Sequence, residues 1–220
     1  VESYKGAIPS LPIFEEAVQG EGFVSFQPKA DGIVRTAPLV ARIGEQYYPS
    51  LSMEALRVAQ GASSYIVRST SGTEELAAPE LEDPGMAKIK VGNFEVPTSA
   101  NGDIIIYFTE SQPGRFIPAW KILSDEVPMS EWAPSIGGHI VFIGTGAEGL
   151  KDLVATPVNQ REPGVLVHAQ IAEQVIGETY LSRPYWAELI ELATLVVFGV
   201  VLALLLPRLG VRVGALTSFL

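Results

Sequence analysis

Leu189 to Leu206 (LIELATLVVFGVVLALLL) carries one charge, Glu191, in eighteen consecutive residues. As a helix at 1.5 Å per residue this tract reaches roughly 27 Å, against a bilayer hydrocarbon thickness of about 30 Å. An amphipathic helix of a soluble domain would show a polar stripe, yet between Leu192 and Leu206 the only polar side chain is Thr194. A fully buried helix would need a larger protein around it than the upstream residues supply. The tract therefore predicts a transmembrane helix, 186–207 with its flanks, in contact with membrane lipid.

The flanks orient it. Pro207, Arg208, Gly210 and Arg212 follow the apolar end, whereas the near side holds Arg183 among Glu178, Glu188 and Glu191. Only Lys and Arg weigh strongly in the positive-inside rule, so 208–212 is expected as a short cytoplasmic turn and 1–185 as an extracytoplasmic domain. Tyr185 and Trp186 suit the outer interface. Val213 to Leu220 (VGALTSFL) is expected to begin a second transmembrane helix. An exported domain also requires a signal or membrane helix upstream, and none is legible near Val1. The expected location is a bacterial inner membrane.

The net charge of −10 falls wholly on the upstream domain, because Glu188, Glu191, Arg208 and Arg212 cancel. Such acidity argues against nucleic acid as a partner, since basic contacts to phosphate dominate that affinity. The absence of cysteine excludes disulfides, a thiolate nucleophile and Cys-ligated zinc. About 185 residues suffice for one domain with its own core.

Along that domain, GFVSF (Gly22 to Phe26) reads as a strand, followed by a turn at Asp31-Gly32 and a second strand in IVRTAPLVARI. Gly44-Glu45 reverses the chain into QYYP. Ser50 fits an N-cap for LSMEALRVAQ, with Leu51, Ala55, Val58 and Ala59 on one face and Gly61 at the C-terminal end. Ser69 to Gly85 reads as a solvated acidic excursion. KIKV and FEVP predict two strands joined at Gly92-Asn93, and DIIIYF and HIVFIG (His139 to Gly144) two buried strands. Phe116 to Leu123 predicts a short helix with Phe116, Ile117, Trp120 and Leu123 inward. PGVLVHAQIAEQVIG predicts a strand entering a helix. The fold class is α/β, a mixed sheet flanked by helices, then the membrane helix.

GTGAEG, Gly144 to Gly149, matches G-x-G-x-x-G after a predicted strand. A dinucleotide site needs a long crossover helix next, and Pro157 intervenes too early. Tight backbone turning at a strand end, or an anion-binding nest near Thr145 and Gly146, accounts for the glycines instead. His168 shares a helix face with Ile171, Ala172, Val175 and Ile176, as a packed structural histidine or as a ligand contact or pH sensor. Two histidines without cysteine give no metal-ligand spacing, so no metal or cofactor is expected. No nucleophile elbow, S-x-x-K or P-loop occurs, and no catalytic residue is expected.

Several segments in order resemble the CHASE type-two family of extracellular sensory domains. They are GFVSF with ADGIVR and Pro38, PSLSMEALRVAQG, VPTSANGDIIIYF, HIVFIGTGAEGLKDLVATPVN, and PGVLVHAQIAEQVIGETYLSRPYW with the apolar helix ending LLPRLG. The resemblance covers most of Gly20 to Gly210. It implies two further membrane helices and a cytoplasmic nucleotide cyclase, histidine kinase or other output domain. The family's acidic first strand and Trp-Pro-Trp-type segment have no counterpart here, so only the C-terminal portion of the sensor is expected.

The expected function is a sensory, ligand-binding receptor module, not an enzyme in this segment. It would answer a small-molecule or envelope signal and pair as a homodimer through the whole receptor. The alternative is a membrane-anchored module for interaction or assembly with another envelope protein. Candidate ligand-binding residues are Asp31, Arg35, Thr145, Asp152, Thr156 and His168, which combine anionic, cationic, hydroxyl and imidazole groups in segments expected to converge at strand ends. Turn shaping by Asp31 and capping by Asp152 are the competing structural roles.

Overall fold

A computed structural model describes residues 1–69, 86–124, 126–146, 152–182 and 186–217, without the side chains of 188 and 206–217. Most of the acidic 69–85 excursion, the second half of GTGAEG and the 183–185 join lie outside these residues. The chain divides into a compact unit, Val1–Leu181, and a second unit, Ser182–Leu220.

The first unit is α/β, built from several small sheets. In chain order it contains β1 (Glu2–Tyr4), α1 (Pro12–Glu15), β2 (Thr36–Pro38), β3 (Val40–Ile43), β4 (Gln46–Pro49) and α2 (Leu51–Ala59). There follow β5 (Tyr65–Ser69), β6 (Met86–Val91), β7 (Phe94–Pro97), β8 (Asp103–Ile105), α3 (Ala119–Leu123), α4 (Met129–Ile136), β9 (Leu153–Val154), β10 (Glu162–Pro163) and α5 (Gly164–Ile176). Strand β3 pairs parallel with β1 and antiparallel with β4, giving a mixed sheet. A second sheet runs β5-β6-β7, and β2–β8 and β9–β10 form two-stranded ladders.

Local chemistry explains the best-formed elements. Ser50 is extended, and its hydroxyl accepts from the Met53 N–H at 3.4 Å, capping α2. Gly44 and Gly92 take positive φ (61° and 55°), which the two hairpin reversals require. Register follows, with Ile43 opposite Gln46 and Val91 opposite Phe94. Leu39, Met53 and Leu56 pack with Ile89, Val91, Val96 and Ile104 and with Val167, Ile171 and Val175 of α5 into one core. Sheets too small to enclose a core alone are thus closed by α2 and α5.

Several expectations are corrected. The buried face of α2 is Ser52, Met53, Glu54 and Leu56, whereas Ala59 is exposed. Glu54 can lie there because Arg57 grips both its oxygens (Nε at 3.0 Å from each) and the Tyr65 hydroxyl donates to it. GFVSF forms only a parallel bridge, Phe23 to Ser50. HIVFIG is not a strand. Ile140 and Phe142 lean on the core while Ile143 is 91% exposed. Alternation set its two faces, but no neighbouring strand supplies a ladder among the described residues. Helix α3 does not face inward, with Trp120 half exposed and Leu123 84% exposed. The expected strand before α5 is only β10, and the helix begins at Gly164.

The second unit contains α6 (Ala187–Thr217), a 31-residue helix. Its backbone stays helical across 208–212, where the sequence predicts a turn. A proline deletes one amide donor and a glycine weakens a helix by about 1 kcal/mol, which need not end a long one. Among the described residues no helix is long and apolar enough to cross a membrane. For α6 the described side chains end at Leu205, one residue short of the Leu189 to Leu206 tract.

Candidate functional site

The first two turns of α5 gather three of the six candidates, Thr145, Asp152 and His168. The Gly164 N–H donates to the Asp152 carbonyl at 2.7 Å. A Cβ on Gly164 would sit 2.7 Å from the Asp152 carboxylate, so only glycine lets the strand end approach the helix this closely. Thr145 donates its hydroxyl to the other Asp152 oxygen at 3.3 Å. Gly144 abuts the Val165 side chain, and a Cβ on Gly146 would come within 3.3 Å of Pro163. The first two glycines of GTGAEG therefore serve close packing against α5. Glu162 is buried immediately before this turn, and one of its oxygens has no hydrogen-bond partner among the described residues.

His168 lies one turn further along α5, 2% exposed. Its Nδ1 is 3.0 Å from the Ser52 hydroxyl of α2, and that hydroxyl also donates to the His168 carbonyl at 3.1 Å. Its Nε2 is 3.4 Å from the Val24 carbonyl, and Phe26 packs on the ring at 4.5 Å between centroids. Burial holds the imidazole below its usual pKa, against smaller upward pulls from the Val24 carbonyl and the Asp152 charge.

The remaining candidates cluster at the other end of the same short segment. Asp31 accepts from the Ile33 N–H at 3.1 Å and pairs with Arg35 at 2.7 Å. The Ile33 hydrogen bond, then Arg35, hold its carboxyl below the usual range. The Ile33–Ala155 bridge, with the Val34 N–H donating to the Ala155 carbonyl at 2.8 Å, sets this turn beside Thr156. Thr156 is occupied. Its hydroxyl donates to the Asn159 carbonyl and accepts the Asn159 N–H, both at 3.0 Å. Residues 152–156 thus join two groups, Thr145–Asp152 with His168 nearby and Asp31–Arg35 with Thr156. Among the described residues the hydrogen bonds and ion pairs of each group stay within that group.

The model of one protein family, the CHASE2 domain, matches residues 3–204, nearly the whole chain. The chain belongs to the CHASE2 family. CHASE2 domains are sensory and not catalytic. No curated protein matches this chain. No solved structure matches it either. In this CHASE2 domain, sequence reasoning overlooked Ser52, Phe26 and the Val24 carbonyl as partners of His168. One signal was available. Ser52 interrupts the apolar face of α2 as His168 interrupts that of α5, and two buried polar groups each need a partner.

Proposed function

We propose that this CHASE2 chain is the extracytoplasmic sensory and ligand-binding module of a transmembrane receptor. Its output is a cytoplasmic nucleotide cyclase or kinase, and α6 is the helix that enters the membrane. The observation that carries this reading is the surface of α6. From 191 to 205 every described residue is exposed, and nearly all are aliphatic or aromatic. Water would have to solvate such a helix on every side, whereas a bilayer satisfies it without a partner. The family match continues to residue 204, so nearly all of the apolar tract falls within the same matched span as the upstream domain.

A signal bound by Val1–Leu181 would then shift the packing or tilt of membrane helices between paired subunits and bias the output between two states. Reporter fusions in the full-length receptor test the topology, one after Leu181 and one at Gly210. An active exported reporter after Leu181 and a silent one at Gly210 are expected. The reverse pattern overturns the assignment. A full-length protein ending after the membrane segment, without an output domain, would favour an envelope interaction module instead.

A further inference from the structure

His168 has more acceptors around it than a neutral ring can serve. The Ser52 hydroxyl has one proton, and the His168 carbonyl, a pure acceptor 3.1 Å away, takes it. The Ser52 oxygen then faces Nδ1 as an acceptor at 3.0 Å. On the other side Nε2 faces the Val24 carbonyl, also a pure acceptor, at 3.4 Å. A neutral imidazole carries one N–H. With the proton on Nδ1, the Nε2 lone pair opposes the Val24 oxygen. With the proton on Nε2, Ser52 must turn its own proton to Nδ1 and abandon the carbonyl. Only the doubly protonated ring makes all three hydrogen bonds together.

The rest of the surroundings also admit a cation. Phe26 presents its ring 4.5 Å away at a 35° tilt, within range of a cation–π contact. Asp152 adds a favourable negative field. Of the other charged groups on the elements packed against α5, Glu54 and Arg57 of α2 pair with each other, Glu173 of α5 pairs with Arg115 at 2.7 Å and Glu95 of β7 with Arg68 and Lys88, whereas Glu162 of β10 is a second buried carboxyl, one oxygen of which has no hydrogen-bond partner among the described residues. Residues 22–26 carry no charge. Burial opposes protonation and keeps the ring neutral until the surroundings acidify.

We propose that His168 is a proton-binding site through which acidification outside the membrane acts on this domain, drawing the Phe23–Phe26 segment onto α5. The segment is held at Phe23 and Phe26 and open at Val24 between them. It is anchored beside α2 through the Phe23 N–H to Pro49 and the Leu51 N–H to Phe23, at 3.0 and 2.9 Å, while the Val24 side chain is 61% exposed. A charged Nε2–H shortens the 3.4 Å approach to Val24 towards about 2.8 Å, the usual span of a charge-assisted bond. The biological use of this site rests on the sensory reading above; its chemistry does not.

The test is an NMR titration of the 220-residue chain in nanodiscs from about pH 7.5 to 4.5, across the range where histidine charge changes. The chain has only two histidines, so the His168 ring is readily assigned with His168→Gln. The expected result is protonation of His168 below the ordinary imidazole midpoint while the domain stays folded, with concerted shifts of the Val24 to Phe26 amides. Ser52→Ala should lower the midpoint further, and His168→Gln should abolish the shifts at 24–26. A ring that stays neutral throughout, one that titrates without moving Val24, or one that charges only as the domain unfolds overturns the proposal. In the full-length receptor, an acid response retained by His168→Gln overturns it as well. The topology fusions do not involve His168, so failure of the sensory reading shows separately.

Discussion

Gln174 completes the backbone of Tyr107 as a neighbouring strand would. Its Oε1 accepts the Tyr107 N–H at 2.9 Å and its Nε2 donates to the Ile105 carbonyl at 3.0 Å. One side-chain amide thus supplies the donor and acceptor that the end of β8 lacks.

Gln174→Leu should therefore destabilise the domain by about 2 kcal/mol, because it leaves two partly buried backbone groups without partners. Gln174→Glu should be intermediate, keeping the acceptor for Tyr107 and losing the donor to Ile105. Chemical denaturation of the three proteins checks the ranking, and wild-type stability in the Leu variant would refute it.

Gly22→Ala should weaken the attachment of the Phe23–Phe26 segment. Its Cβ would meet the Leu51 Cα at 2.6 Å and the Leu51 N at 2.7 Å, both backbone atoms that cannot turn aside. A cost of about 1–3 kcal/mol is expected from such overpacking. Hydrogen exchange at the Leu51 amide, which donates to Phe23, should accelerate in the variant.

Glu54 gives the domain an acid limit. Burial alone would raise its carboxyl pKa, but the hydrogen bonds from Arg57 and Tyr65 and the Arg57 charge outweigh it, and the net shift is downward. A carboxylate with a depressed folded pKa contributes stability that is complete above its unfolded pKa of about 4.3. That contribution drains as pH falls through the lower folded value. Glu54→Gln should flatten the stability profile below about pH 4.3 and leave Arg57 without its charge partner. Unchanged steepness of acid unfolding in the variant would count against this role.

These elements differ in how openly the sequence announces them. Helix α2 and the β6–β7 hairpin were legible because a Ser50 cap and a Gly92-Asn93 reversal are local devices, fixed by neighbours in the chain. GFVSF and HIVFIG carry the β-branched and aromatic residues of real strands, but a ladder needs a partner that lies elsewhere in the sequence. The inward face of α2 departs from its apolar periodicity because Glu54, charged in sequence, is buried with Arg57 and Tyr65 as partners. At the site, the Asp31 turn was readable from Asp-Gly, whereas Thr145 meets Asp152 beside α5 without the strand expected to lead into it. The Ser52–His168 contact joins two helices 116 positions apart; a polar interruption marks each helix, but nothing local pairs one with the other.

Four Gly/Ser residues inserted after Arg183 should uncouple stimulus from output in the full-length receptor. Pro184, Tyr185 and Trp186 leave little flexible sequence before Leu189, and a Gly/Ser chain absorbs displacement as a random coil would. Stimulus-dependent output measured at normal membrane abundance checks this. Retained output would point to association between subunits as the route of coupling.

Ser52 and His168 are separated by 116 positions, and the core that they help to close needs α5 as one wall. During synthesis, α2 and the sheets around it are therefore made long before the surface that shelters them. Met53, Leu56 and Ile89 stay open to chaperones, and to other nascent chains, until residues 164–176 arrive. Truncation before Gly164 should then yield an aggregating chain rather than a smaller folded domain, and expression yield should track the integrity of α5 more closely than that of any single strand.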